Sequence, residues 1–584
     1  MRPAIDPRHG DIEDDASSSK RRSLLSLAGS LLAEISLPKL ALAFTLLVVI
    51  PSWALGIAPI VAAIWFGKLS SKLASGLTSL WPAILLVIIG VVGWFGGRRL
   101  LRLAENSFWS LNSLAVQPAY AVCREAFRQI AERLLPVRAT KVQRAKLRAA
   151  AALVSGGMIC AVALLVLALV LPHADLLRGA AGVGTLRHLA AVALANTVVL
   201  VTAYLAAAAL VWGIADATMA QPRDLEHFDE RPTDGRTWRI AHLSDLHVVG
   251  ERYGFRLESG RSGPRGNERL RRLLTELEVL HARDPLDIIV VSGDMTDAGR
   301  SSEWAEFLDA VLRHPRLADR MLIIPGNHDL NIVDRANPAR LDLPTSPNKR
   351  LRKLRVLSAM GALQGERVRV VDRARGRLGA TLASTLKPHL GEIATFADVG
   401  RPWLSKRLTE LWTSVFPMVL PPDTDDGLGI ILLDSNADTH FSFTNALGMI
   451  SVDQARGFKI ACAQYPQACW IVVLHHHVVE YPRPARTLSE RVGTALINGN
   501  WFVRRLKPLA GRAVLMHGHR HIDWIGECGG IPILSAPSPV MEATDDMATC
   551  FYIHTLAVGS DRRLRLLQPQ RVTVEGEPLS PAAW

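Results

Sequence analysis

The sequence predicts two units of different kind, an α-helical transmembrane region followed by a soluble α/β domain. Three observations carry this prediction. At 584 residues the chain exceeds the size at which a single core stops growing, roughly 250–300 residues. Its apolar content is 49%, with a mean hydropathy of +0.18, and it is concentrated before residue 216 in long runs without charge. Beyond that point, short Ile-, Val- and Leu-rich runs alternate with helical patterns, and each run closes on a polar cluster.

Residues 1–39 are polar and read as a cytoplasmic N-terminal segment, and 40–215 as a membrane domain. Four runs, 40–66, 80–97, 149–171 and 188–214, approach or exceed the about 20 apolar residues that cross a bilayer. Pro51 and Pro59 are expected to kink the first. The polar segment ahead of it argues against a cleavable signal peptide. Between runs two and three lie Arg98, Arg99, Arg102, Arg124, Arg128, Arg133, Arg138, Lys141, Arg144, Lys146 and Arg148 against Glu105, Glu125 and Glu132, so that loop is expected in the cytoplasm. Lys20, Arg21 and Arg22 place the N-terminus on the same side. An even number of crossings then returns the chain there. The expectation is a multi-pass protein of the inner (cytoplasmic) membrane with its soluble part facing the cytoplasm. The net charge of +13 follows from that topology and from attraction to anionic headgroups. No reader motif accompanies the charge, so no nucleic-acid partner is expected. Cys123, Cys160, Cys462, Cys469, Cys528 and Cys550 form no CxxC and fit packing roles in a reducing compartment.

Residues 216–236 read as a linker, 237–570 as the α/β domain and 571–584 as a tail. Within the domain, apolar runs at 238–247, 286–297, 321–329, 429–436, 469–477, 513–521 and 530–538 predict strands buried on both faces. Helical spacing predicts helices over 267–282 and from Ser301 or Ser302, either of which could serve as N-cap. An insert at 334–427 is longer than a loop should be. In it, "WLSKRLTELWTSVF" puts Leu404, Leu408, Leu411, Trp412 and Val415 on one helical face, expected against the core, with a helix lying on the membrane as the alternative. Ten Lys or Arg between 349 and 377 face only Glu366 and Asp372 and read as a solvated surface or a patch for phosphate headgroups.

In an open α/β sheet the site lies beyond the C-terminal ends of the strands. The polar clusters should therefore converge, bringing together Asp245 and His247, Asp294, Asn327 with His328, one of His475, His476 and His477, and His519 with His521. Oxygen and nitrogen donors without sulfur suit Mn, Fe or Zn. Asp294 could offer one oxygen to each of two ions, as two-metal hydrolases do. Any one of these motifs is most often coincidence, but five in order, each closing an apolar strand, are not.

The order D-x-H (Asp245, His247), G-D-x-x-D (Gly293, Asp294, Asp297), G-N-H-D (Gly326 to Asp329), a strand-terminal His475 and G-H-x-H (Gly518 to His521) resembles the calcineurin-like metallophosphoesterase superfamily. The resemblance covers 238–521 and implies a four-layered α/β/β/α sandwich with two divalent or mixed-valence metal ions. Carried over by position, Asp245, His247, Asp294 and His521 would bind one ion, and Asp294, Asn327, His475 and His519 the other. His475 is preferred over its two neighbours because it directly follows the apolar strand; His517 is expected to be structural. His328 would be the acid for the leaving oxygen, oriented by Asp297 or Asp329. Ala298 stands where the protein phosphatase branch has Arg, so the motif is more similar to the cyclic-nucleotide and glycerophosphodiester branch.

The implied activity is hydrolysis of a phosphodiester or pyrophosphate by a metal-bridged hydroxide. The membrane region favours a lipid-linked substrate, by analogy with diacylglucosamine nucleotide hydrolases of the superfamily. The alternatives are a tethered cyclic-nucleotide or other soluble phosphodiesterase, and a non-catalytic signalling protein with a ligand-binding domain. The sequence carries no sign of oligomeric state.

Overall fold

The computed structural model describes residues 37–76, 84, 117–134, 140–176, 185–250, 266–334, 340–342, 346–399, 402–482, 494, 496–541 and 547–576. These fall into two compact units, one within 36–219 and one from 220 onward.

The first unit is helical. Its main elements are α1 (Ile50–Gly76), α2 (Gln117–Leu134), α3 (Lys141–Val170) and α4 (Leu186–Ala217). Three stretches, Ile50–Gly67, Gln143–His173 and Leu186–Ala217, are long and apolar enough to cross a membrane by length and composition. They coincide with the first, third and fourth apolar runs; the second lies outside the described residues. A π-helical turn at Thr45–Val49 runs directly into the segment that holds Pro51, which has no N–H to donate. Helices α3 and α4 approach through small residues, for a Cβ on Gly156 would lie 2.6 Å from the Ala209 carbonyl oxygen. Leu153, Val162, Leu165 and Leu169 of α3 face outward. Asn196 in α4 is buried but satisfied, donating to the carbonyls of Gly56 and Asp175.

The second unit holds two sheets. Its strands are β1 (Arg223–Asp224), β2 (Gly235–Leu243), β3 (Ile288–Val291), β4 (Met321–Ile323), β5 (Arg369–Asp372), β6 (Arg377–Thr381), β7 (Met418–Leu420), β8 (Leu428–Leu432), β9 (Cys469–Val473), β10 (Ala513–His517), β11 (Trp524–Cys528), β12 (Ile531–Ser535), β13 (Thr549–Gly559), β14 (Leu564–Leu566) and β15 (Gln570–Val574). All seven apolar runs are strands. Six strands follow the order β14-β13-β2-β3-β4, with β15 paired to β13; nine follow β1-β11-β12-β10-β9-β8-β7-β5-β6. The centre of each sheet is parallel, β2-β3-β4 in one and β8-β9-β10-β12 in the other, with antiparallel strands added outside. One buried apolar cluster includes Leu243, Ile289 and Val291 of the first sheet and Ile430, Ile471 and Val514 of the second.

Helices α5 (Glu268–Arg283) and α6 (Ser301–Leu312) connect β2 to β3 and β3 to β4. The expected serine cap on α6 is absent. Arg300 is the N-cap, and Glu303 ties the entry to the helix by accepting from the N–H groups of Ala298 and Arg300 just ahead of it.

Part of the expected linker is structured. Leu225 donates to the Ile525 carbonyl, Asp229 to that of Leu566, and Trp524 Nε1 donates to Asp224 at 3.0 Å. Strand β15 likewise reaches into the expected tail.

The insert extends the nine-stranded sheet by β7, β5 and β6. A helical turn, α7 (Asn327–Leu330), precedes it; within it α8 (Pro347–Gln364) packs on β4, α7 and α9 (Pro402–Val415). On α9, Leu408, Leu411, Trp412 and Val415 are buried, and Trp412 Nε1 donates to Asp434 at 3.0 Å. The described part of that face meets the core rather than a membrane surface, and the side chain of Leu404 lies outside the described residues. Part of the basic segment, expected as a solvated surface or a headgroup patch, is used internally. Lys349 pairs with Asp438, Arg352 with Asp342, and Arg367, Arg369 and Arg373 donate to main-chain carbonyls.

Trp412→Ala should destabilise this unit by about 3–5 kcal/mol, read as an earlier unfolding midpoint of the detergent-solubilised protein; a silent substitution would mean that Trp412 meets lipid instead. A second expectation concerns His554 in β13, whose burial lowers its imidazole from 6.5 to about 3. The unfolded chain takes up that proton first, so the contribution is complete above pH 6.5 and is lost as pH falls toward 3. His554→Phe should flatten the acid limb of a stability-against-pH profile, and an unchanged slope would refute the assignment.

Candidate metal centre

The site forms where the strand ends of the two sheets meet. To aim side chains back into that gap the main chain must turn sharply, and Asp245 (φ 54°), His247 (φ 45°), Asp294 (φ 53°), His519 (φ 81°) and His521 (φ 51°) all lie in the left-handed region. Among the described residues the one other non-glycine there is Arg562. Each such position costs on the order of 1–2 kcal/mol. Interlocked loops hold them: Asp245 N donates to the Gly293 carbonyl and His247 N to that of Asp294, both at 3.0 Å. Gly326, after β4, passes so near that a Cβ would lie 2.1 Å from Asp294 Oδ1, so no larger residue fits.

One donor group comes from Asp294, Asn327, His475 and His519. His475 Nδ1 donates to the Ser292 carbonyl at 2.9 Å, which in the neutral ring leaves Nε2 as a bare lone pair. That lone pair faces Asn327 Oδ1 at 3.1 Å and Asp294 Oδ2 at 3.2 Å. His519 Nε2 lies 3.1 Å from the Thr494 carbonyl, to which it donates, so its Nδ1 is bare as well, 3.0 Å from Asn327 Oδ1 and 3.2 Å from His475 Nε2. With His475 neutral, four acceptor atoms thus converge in a buried space and need a proton or a cation among them. Such a set fits a cation. The electrostatics agree. Burial disfavours a charged His475, yet Asp294 beside it raises that imidazole to about 9. Burial would raise the Asp294 carboxyl, but His475 and His328 hold it well below the usual carboxylate range.

The other group comes from Asp245, His247 and His521. Their donor atoms gather closely enough to hold one ion, with His247 Nε2 3.3 Å from His521 Nε2 and His521 Nε2 3.4 Å from Asp245 Oδ1. Asp297 Oδ1 lies 3.3 Å from His247 Nδ1 and keeps the proton on that nitrogen. Asp294 reaches this group as well, with Oδ2 3.9 Å from His247 Nε2. Oδ1 accepts from His328 N at 2.8 Å, so the same Oδ2 faces both groups.

The three candidate catalytic residues have separate surroundings. His328 Nδ1 donates to the main-chain carbonyl of Asp297 at 2.7 Å. The Asp297 carboxylate is turned to His247. Asp329 accepts from Thr296 N and Oγ1 and from Gly326 N, and burial followed by Asp294 raises it to about 6. It ties two loops together and orients His328 only through the backbone. Of the histidine triple, His475 enters the donor group, His476 Nδ1 meets Ser435 at 2.9 Å, and His477 stacks on Tyr481. His517 is buried, and burial lowers it to about 3. Sequence reasoning missed the carbonyls of Ser292 and Thr494, which fix two tautomers. No side-chain identity could have signalled them.

Residues 239–387 match the calcineurin-like phosphoesterase family. Among solved structures, a dimetal phosphatase from Danio rerio is similar at 12% identity and a TM-score of 0.32, over 58% of this chain and 99% of that one. An NAD nucleotidase from Haemophilus influenzae is similar at 10% identity and a TM-score of 0.30, over 59% of this chain and 51% of the other, so this chain spans about half that protein's length. Similarities of this size say nothing about substrate. No curated protein matches the sequence.

Because Asp294 faces both groups, Asp294→Asn should empty both positions, whereas His521→Ala should empty one and leave the other filled. Metal content after dialysis against Mn²⁺ or Zn²⁺ measures this. Equal losses from the two variants would refute a carboxylate shared by the two groups.

Proposed function

We propose that this chain, whose residues 239–387 form a calcineurin-like phosphoesterase domain with the chemistry of a metal-dependent phosphoester hydrolase, cleaves phosphodiester or pyrophosphate bonds while tethered to a membrane. The observation that carries the reading is the double set of lone-pair donors around Asp294 Oδ2, with His328 seated beside it. Asp245, His247, Asp294 and His521 would hold one ion, and Asp294, Asn327, His475 and His519 the other. When bound, the ions would activate a water and neutralise the phosphoryl oxygens.

The rest is the work of the chain's own groups. Asp297 keeps His247 in the tautomer that presents Nε2 to the centre. The Asp297 carbonyl holds His328 by Nδ1, so Nε2 is the nitrogen left for the leaving oxygen, and it is the imidazolium form, protonated on both nitrogens, that gives the Nε2 proton. Asp329 fixes the two loops that carry these residues. The two mixed sheets, with helices connecting their strands, fit the four-layered sandwich that the motifs imply.

A diester is favoured over a monoester by charge. Ala298 replaces the arginine that would meet a dianion, and among the described residues near these loops Arg352 pairs with Asp342 and Arg520 lies against Glu480. The candidate spans make a lipid-linked substrate the first reading. The inward-facing Trp412 and the internal pairing of the basic insert favour a second, a soluble diester cleaved by a domain that is merely tethered. Counting the second apolar run, four crossings and the basic segment before run three put the domain in the cytoplasm of an inner-membrane protein.

The detergent-solubilised protein should hydrolyse bis(p-nitrophenyl) phosphate with Mn²⁺ and stop in EDTA. His328→Ala should retain its metal and lose about 10²-fold or more on an unactivated diester; a variant that loses its metal would refute the role given to His328. Comparing a lipid-linked diester with its water-soluble headgroup analogue decides between the two substrates.

A further inference from the structure

We propose that Arg352, on the insert helix α8, is a positioning residue that seats His328 for proton transfer; this rests on the reading of His328 given above. His328 is held from two directions. Its backbone belongs to the turn α7 after β4, and its ring hangs from the Asp297 carbonyl, in the loop after β3. Those two pieces leave different strands, so chain connectivity alone does not set their separation.

Arg352 sits on the seam. It is 5% exposed. Its Nε donates to the carbonyl of Leu330, the last residue of the turn, at 2.8 Å. Its stem meets the other loop: a Cβ on Gly299 would lie 2.9 Å from Arg352 Cδ and 2.6 Å from the Asp329 carbonyl oxygen. Gly299 has φ +69°, which allows this close passage. Three residues along α8, Arg355 donates to the Gly299 carbonyl at 3.0 Å. The same helix therefore grips both halves of the seat. Asp342 takes the charge of Arg352 through Nη2. With its head bonded to Asp342 and its Nε to a carbonyl, the guanidinium is a clamp rather than a ligand for substrate phosphate.

Loosening the clamp at Leu330, the end of the turn away from Asn327, should misplace the proton donor more than the metal donor that opens the same turn, and the bound metal reports on the latter. A misplaced acid matters most when the leaving oxygen is basic, and a shift of about 1 Å can cost on the order of a hundredfold. The test compares diphenyl phosphate, whose phenol leaves poorly, with bis(p-nitrophenyl) phosphate, whose phenol leaves well, in full-length protein with bound metal measured in each variant. Arg352→Gln should lower kcat on diphenyl phosphate roughly ten- to a hundredfold and far less on the nitrophenyl ester, with KM and metal content unchanged. Added to His328→Ala, it should cost nothing more. Asp342→Asn should give a smaller version of the same split, and it carries the test if Arg352→Gln does not fold. Equal losses on both esters, or a full further loss on top of His328→Ala, overturn the proposal. A His328→Ala variant that ignores the leaving group overturns instead the reading of His328 on which it rests.

Discussion

The structure turns on one crowded point, the space around Asp294 Oδ2, where His475, His247 and Asn327 bring acceptor atoms toward a buried carboxylate. Left to themselves these groups repel, and burial removes the water that would have relieved them. A proton on His475 is a partial remedy, which is why Asp294 raises that imidazole despite its burial. A pair of cations is the fuller one. Much of the catalytic unit makes sense as scaffolding for this unfavourable gathering.

That scaffolding is visible in the backbone. The five donors with left-handed φ sit at the ends of β2, β3 and β10, where the chain has just left a parallel sheet and must fold its side chains back over the strand tips. The cost of those turns is offset by hydrogen bonds between neighbouring loops and by the large apolar cluster beneath. Two sheets are needed because the donors come from both: Asp245, His247, Asp294 and Asn327 from the six-stranded sheet, and His475, His519 and His521 from the nine-stranded one. A single sheet could present them only in a row.

The insert shows how composition misleads when geometry is withheld. Its arginines look like a charged surface, and its Trp-bearing helix looks amphipathic enough to lie on lipid. In three dimensions the tryptophan closes a core and bonds Asp434, while several of the arginines satisfy carbonyls and a carboxylate of the same unit. Long basic side chains with apolar stems suit both uses, so only the presence or absence of a partner separates them.

By itself, the sequence determined the division into a membrane-competent helical part and an α/β part, the seven strands read from apolar runs, and the residues that close them. Those features are written in local patterns: period, run length and the polar residue at the end of a run. The sequence could not decide which of His475, His476 and His477 belongs to the centre, because three adjacent imidazoles differ only in direction, and direction depends on Ser292, Ser435 and Tyr481. Nor could it show that one oxygen of Asp294 faces both groups, since the other is claimed by a main-chain N–H of His328. Strands β13 and β5 to β7 also escaped, because mixed burial along edges and antiparallel additions leaves no long apolar run. Tertiary structure settled these points, since each depends on backbone groups from segments distant in the chain, and a backbone carbonyl is the same in every residue.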